Sequence, residues 1–260
     1  MLTGKVALIT GSTSGIGLGI AKKLSSQGAH IILNGMGEKT AIQALQASLQ
    51  KDCNNSVLFH PADLTDPNQI EELIHFSANA HGRLDILVNN AGIQHVAPVC
   101  DFPIEKWQKI IDLNLSAAFY TARLAIPFMR EKKWGRIINM ASAHALVASP
   151  FKSAYVASKH ALAGLSKVIA LEVAEENITC NAICPGYVHT PLVDQQIDDT
   201  AKARGISRES VIKDVMLGPQ ATKKFVTIEE IASFASFLCS DAADSITGAL
   251  LPIDGAWTSH

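Results

Sequence analysis

"KVALITGSTSGIG", residues 5–17, passes from a β-rich apolar run straight into a glycine-spaced turn. Val6 to Ile9 show no polar alternation, the pattern of a parallel strand covered on both faces. Gly11, Gly15 and Gly17 follow in the spacing G-x-x-x-G-x-G. Gly11 can take a turn conformation closed to other residues, and Gly15 lets the backbone approach a phosphate-bearing ligand. Gly17 lets a helix pack against the strand, and the N–H groups at that helix's start then face an anion. Strand, glycine turn and helix together predict a dinucleotide site at the carboxyl end of the first strand.

Outward from this unit, short β-rich runs alternate with helical patterns. The strand candidates are 5–10, 30–34, 56–60, 84–89, 135–141, 178–184 and 248–254, and the clearest helical patterns cover 16–27, 67–81, 104–131, 153–176 and 227–239. This alternation predicts an α/β fold: one domain over residues 1–260, built on a doubly wound (Rossmann-like) parallel sheet of about seven strands. Asp66 before Pro67 marks a helix start, and Thr227 followed by Glu230 reads as a capping box. Residues 190–222 break the rhythm with a polar, helix-forming stretch after the sixth strand. Either a peripheral helical pair or a lid over a cleft fits that position.

Composition bounds the function. At 260 residues, 48% hydrophobic and 18% charged, the chain has an ordinary globular make-up. A net charge of −2 gives no reason to expect nucleic acid or a membrane surface as partner. The five cysteines (Cys53, Cys100, Cys180, Cys184, Cys239) include no C-x-x-C pair, so buried reduced thiols are expected. No secretory pattern or bilayer-length apolar run is visible, and the expected location is cytoplasmic. The histidines form no H-x-x-x-H set, so no metal is expected.

The second strand ends "LNGMG", 33–37, with no acidic residue for a ribose and no Arg or Lys for a 2′-phosphate. NAD is therefore the expected cofactor, with Asn34 in reach of the ribose and Lys39 the nearest cation. Asp63, after the third strand, suits either an adenine amino group or a turn-capping role.

A second stretch, "SAHALVASPFKSAYVASK" (142–159), concentrates hydroxyl, imidazole, ammonium and phenol groups. Tyr155 and Lys159 are four apart and share a helix face. Oxidising an alcohol needs a base, and a lysine ammonium nearby should favour the phenolate of a tyrosine whose ordinary pKa is about 10. Ser142 is placed to orient the substrate oxygen. Ser142 and His144, two apart, point the same way on an extended segment. Lys152 lies three residues before Tyr155. Taken by themselves, Lys152 and His144 read as solvated surface residues, and Trp257 as core or interface packing.

With "TGSTSGIG", "NNAG" (89–92), Asn114, Ser142, "YVASK" (155–159) and "PGYVHTP" (185–191), the chain resembles the short-chain dehydrogenases/reductases over essentially its whole length. "NNAGIQH", "KSAYVASKH", "NAICPGYVHTPLV" and the closing "DGAWT" look more narrowly like the bacterial D-3-hydroxybutyrate dehydrogenase subgroup. The resemblance implies Tyr155 as acid/base and Lys159 as its activator and a ligand of the nicotinamide ribose. It implies Ser142 as oxygen stabiliser, and Asn114 as the holder of a water in a proton relay. It places cofactor contacts at Gly11, Thr13, Gly15, Ile16 and Gly17, then at Asn34, Asp63 and Leu64. Further contacts fall at Asn90, Ala91 and Gly92 after the fourth strand, and at Pro185, Gly186, Val188 and Thr190 after the sixth.

For the substrate, the resemblance implies a carboxylate clamp on a short 3-hydroxy acid from Gln94, His144 and Lys152, with Gln196 added by the lid. Trp257 would wall the methyl end and Tyr187 the substrate side. The implied reaction is NAD-dependent, reversible oxidation of (R)-3-hydroxybutyrate to acetoacetate. The helix from 153 carries small residues (Ala154, Ala157, Ser158, Ala161, Gly164) and apolar ones on more than one face. One face must cover the sheet, leaving another for a partner helix, and the family implies a homotetramer. Two other readings remain: a 3-oxoacyl thioester reductase in the same fold, and a dinucleotide sensor without turnover. The first is opposed by the uncharged "LNGMG", the second by the intact Ser142, Tyr155 and Lys159.

Overall fold

The structure, a computed structural model, describes residues 1–51 and 55–259. Cys53 and His260 lie outside the described residues. In chain order the elements begin with β1 (Val6–Ile9), α1 (Gly15–Ser26), β2 (His30–Asn34) and α2 (Lys39–Lys51). Next come β3 (Val57–His60), α3 (Pro67–Asn79), β4 (Ile86–Asn89), α4 (Ile104–Ile111), α5 (Ala117–Lys132) and β5 (Gly135–Met140). The chain continues with α6 (Ser153–Glu172), β6 (Ile178–Pro185), α7 (Pro191–Arg204), the one-turn α8 (Arg208–Ser210), α9 (Ile228–Leu238) and β7 (Leu250–Ile253).

All seven strands are parallel, in the order β3-β2-β1-β4-β5-β6-β7. The chain winds outward from β1 to one edge, then returns and winds from β4 to the other. The carboxyl ends of β1 and β4 therefore part at a crevice, where such sheets bind ligands. The continuous apolar runs are explained by burial on both faces: every residue of β1, β4, β5 and β6 is buried. β7 pairs on one side only, and as an edge strand it tolerates Pro252.

The predicted helix starts hold. Asp66 accepts from the Asn68 N–H, and Thr227 and Glu230 exchange the reciprocal bonds of a capping box. Other expectations change. The pattern over 104–131 is helical throughout, but a wider, π-helical segment at Asp112–Ser116 joins α4 to α5. α6 stops at Glu172 rather than 176, with a 3-10 turn beyond it. α2 was not among the clear helical patterns, since it is polar and buries only Ile42 and Leu49. Cys180, Cys184 and Cys239 are buried thiols as expected, but Cys100 is exposed. Among the described residues no helix is long and apolar enough to cross a membrane.

Candidate active site

The carboxyl ends of the central strands open onto a cleft of about 530 Å³. One wall is the turn after β1, where Gly11, Thr13, Gly15 and Ile16 line the cleft. Gly11 and Gly15 take φ of +60° and +55°, the left-handed region that favours glycine. Gly17 sits behind this wall, and a Cβ there would come within 2.5 Å of both Asn90 Nδ2 and the Gly11 carbonyl. Ser14 makes no side-chain capping bond, so the first-turn N–H groups of α1 are left for an anion in the cleft. Shape, glycine set and donors all fit a dinucleotide's pyrophosphate.

Asn34 lines the cleft, but its Nδ2 donates to the carbonyls of His60 (3.1 Å) and Ala62 (3.0 Å). Only its Oδ1, 3.5 Å from the Gly11 nitrogen, remains for a ribose. The Thr13 hydroxyl donates to the Met36 carbonyl, folding the uncharged 34–37 segment over the turn. Asp63 and Leu64 line the far wall, and Asp63 also performs the turn role: its Oδ1 accepts from the N–H and hydroxyl of Thr65. These bonds hold its carboxyl below the usual range. Asn90, Ala91 and Gly92 line the end of β4. Asn90 Nδ2 donates to the Thr10 and Gly11 carbonyls, tying the two strand ends together.

Tyr155 and Lys159 come from α6 to the inner end of the cleft, beside Pro185 and Thr190. A second pocket of about 90 Å³ adjoins it and shares Tyr155. Gly186 and Val188 face this second pocket rather than the cleft, and all eight predicted substrate residues line it, Tyr155 being common to both. His144 meets Trp257 edge-on there, with ring centroids 5.0 Å apart. Gln94 Nε2 is buried without a hydrogen-bond partner. Tyr187 stacks on Trp257 with centroids 5.3 Å apart and planes within 9°.

Lys152, read by itself as a surface residue, is only 5% exposed, and its Nζ donates to the Tyr187 hydroxyl at 2.9 Å. Burial, reinforced by Arg204, pulls its pKa down to about 7. His144 is likewise buried, and burial with the nearby Lys152 pulls it down to about 3, so the imidazole is neutral. Its ring nitrogens meet two hydroxyls, Ser142 Oγ at 3.3 Å and Ser149 Oγ at 2.9 Å.

The expected lowering of the Tyr155 phenol is not produced by the protein's own groups. Burial raises it, and the Ser142 hydrogen bond opposes this only in part. Lys159 Nζ lies 5.5 Å from the Tyr155 ring centroid and donates to the Met140 carbonyl at 2.6 Å. Burial pulls this amine down to about 8, at which it still carries its charge for the most part near neutral pH. Asn114 falls in the wide turn between α4 and α5. Its Oδ1 accepts from the Ile93 N–H, and its Nδ2 donates to the Ile93 carbonyl and to Ser158 Oγ. The side chain thus pins the 92–94 loop, and its own polar atoms are engaged by the protein.

Sequence reasoning missed Ser149, which carries no motif signal, and Lys109, a cation brought to the cleft from α4. An exposed-looking lysine on an amphipathic helix gives no hint of that position. Among the described residues no three His, Cys, Asp or Glu side chains gather as a metal set.

Residues 5–201 match the sequence profile described as short chain dehydrogenase. The chain is 55% identical over 256 residues to the D-beta-hydroxybutyrate dehydrogenase of Rhizobium meliloti (strain 1021), covering 98% of this chain and 99% of the relative. It is 51% identical over 260 residues to the protein of that name from Cupriavidus necator, covering all of both. Among solved structures, actinorhodin polyketide ketoreductase with NADPH superposes with a TM-score of 0.93 at 28% identity over the whole of both chains. Levodione reductase gives 0.91 at 29% identity over 99% of this chain and 98% of that one.

Proposed function

The chain belongs to the short chain dehydrogenase family, and on that premise we propose that it catalyses NAD-dependent, reversible oxidation of (R)-3-hydroxybutyrate to acetoacetate. One observation carries this reading. A small pocket beside Tyr155 holds a buried amine, Lys152, and a buried amide donor without partner, Gln94 Nε2. Unpaired donors of this kind cost stability unless a ligand supplies the acceptor, and a short carboxylate does. The Rhizobium meliloti and Cupriavidus necator relatives, both D-beta-hydroxybutyrate dehydrogenases, agree with this reading.

The pyrophosphate of the cofactor would lie on the Gly11–Gly17 turn and the start of α1, with Asn34, Asp63 and Leu64 around the adenosine. The neutral 34–37 segment favours NAD over NADP. A nicotinamide held there would supply the hydride acceptor for carbon 3 of the substrate. Tyr155 takes the hydroxyl proton as carbon 3 becomes a carbonyl, and Ser142 donates a hydrogen bond to the same oxygen. Lys159 holds the nicotinamide ribose and, once charged, stabilises the phenolate. Asn114 positions the loop that carries Ile93, next to Gln94.

Lys152, His144, Gln94 and Gln196 hold the carboxylate. The stacked pair Tyr187 and Trp257 encloses the methyl end. Residues 190–222 act as a lid: Val193, Ile197, Val211 and Met216 pack against Tyr187 and Trp257, so lid contacts and pocket walls are one cluster. A homotetramer in the cytoplasm is the proposed working form.

The test is the initial rate of NADH formation from (R)- and (S)-3-hydroxybutyrate, repeated with NADP. The NADP arm is informative because the ketoreductase of similar fold was solved with NADPH. Activity with the R form and NAD is expected. Tight NAD binding without turnover of either enantiomer would remove the substrate assignment and favour a sensor.

A further inference from the structure

Phe151 takes a φ of +69° immediately before Lys152. This is the left-handed region that favours glycine, and for a bulky aromatic residue it is strained. Such a conformation persists only where surrounding contacts hold it. Two contacts do so here. The Phe151 carbonyl accepts the Ala97 N–H at 3.0 Å, from the loop that also carries Gln94. The Arg204 guanidinium lies over the Phe151 ring, 5.7 Å from its centroid and within cation–π range. Lys152 is the N-cap residue of α6, so the turn at Phe151 sets the direction in which the chain enters the helix and the lysine leaves it.

Arg204 is the last residue of α7, the first helix of the lid, and Gly205 caps that helix in the left-handed conformation. It is exposed, and among the described residues no carboxylate lies within salt-bridge distance of it, whereas nearby Arg208 pairs with Asp198. The Phe151 ring is thus the partner its guanidinium has. The contact joins two stretches of chain some fifty residues apart, one ending the lid helix and one leading into the pocket amine.

We propose that Arg204 is a positioning residue for the acid substrate: by resting on the Phe151 ring it ties the end of the lid helix to the strained turn before Lys152, and so holds the Lys152 amine in line with the carboxylate. This rests on the function proposed above. Arg204 acts through Phe151 and Lys152 rather than on the substrate, so its loss is felt in binding of the acid and not in the hydride step.

Arg204→Gln and Phe151→Leu should each raise KM for (R)-3-hydroxybutyrate about fivefold, the worth of one cation–π contact, with kcat within about twofold and the NAD dissociation constant unchanged. The double variant should be no worse than either single one, because both remove the same contact. Arg204→Lys, whose ammonium can still sit on the ring, should recover most of the loss. In a Lys152→Met background, Arg204→Gln should add nothing further. Losses that multiply in the double variant, or a wild-type KM in Phe151→Leu, overturn the proposal and leave Arg204 as an attractor of anions from a distance. A second measurement needs no substrate. Backbone hydrogen exchange over residues 198–206 of the unliganded protein should quicken severalfold in Phe151→Leu, and an unchanged rate overturns the tie between lid and turn. If the wild type turns over neither enantiomer, the functional reading fails; the exchange measurement still decides the contact by itself.

Discussion

Burial pulls Lys152 down to about 7 and Lys159 to about 8, and pushes the Tyr155 phenol up. Near neutral pH Lys159 is thus mostly charged and Lys152 about half charged, while the Tyr155 phenol stays protonated until a ligand completes the site. A cationic nicotinamide ring beside Tyr155 favours the phenolate, and a carboxylate beside Lys152 favours the ammonium. Tyr155→Phe should lower kcat at least about a hundredfold, the usual worth of a general base, while the NAD dissociation constant stays nearly unchanged by fluorescence titration. Lys152 gives a pH signature with a defined sign. Below about pH 7 the free amine is already charged, and binding of a short non-oxidisable carboxylate should be flat. Above it, binding must take up a proton, so affinity should fall about tenfold per pH unit. Inhibition constants between pH 6 and 9 check this, and the slope should vanish in Lys152→Met.

At the scale of elements, the cofactor turn depends on a helix that does not line the cleft, α9. α1 carries the turn and is backed by α9 so closely that a Cβ on Gly19 would lie 2.1 Å from Ile228 Cγ2. α9 is in turn started by the Thr227–Glu230 box. Thr227→Ala removes an N-cap and should cost about 1 kcal/mol, read as a lower urea midpoint, with kcat and KM unaltered. Both helix starts were legible because a cap is a local signal of a few residues. The π-helical widening at Asp112–Ser116 was not. Its sequence, DLNLS, is helix-compatible, and the wide turn exists where Asn114 reaches Ile93 on a distant loop.

At the scale of the molecule, the exposed face of α6 carries Ala157, Ala161 and Gly164, then Val168 and Leu171, at successive spacings of three and four. Leu171 is 80% exposed and Val168 52%, which fits a surface covered in the proposed homotetramer. Ala161→Glu should leave the subunit folded but lower the mass seen by sedimentation. An unchanged mass would move the interface elsewhere.

The sequence by itself determined the strand–helix alternation, the glycine turn and the four-residue spacing of Tyr155 and Lys159, because each depends on neighbours within a few residues. Strand order, the convergence of Gln94, Lys152, Gln196 and Trp257 on one small pocket, and the engagement of His144 by Ser149 were decided only by tertiary structure. So was the direction of each pKa shift. Burial and its desolvation cost belong to surfaces assembled from distant parts of the chain, and no local spacing records them.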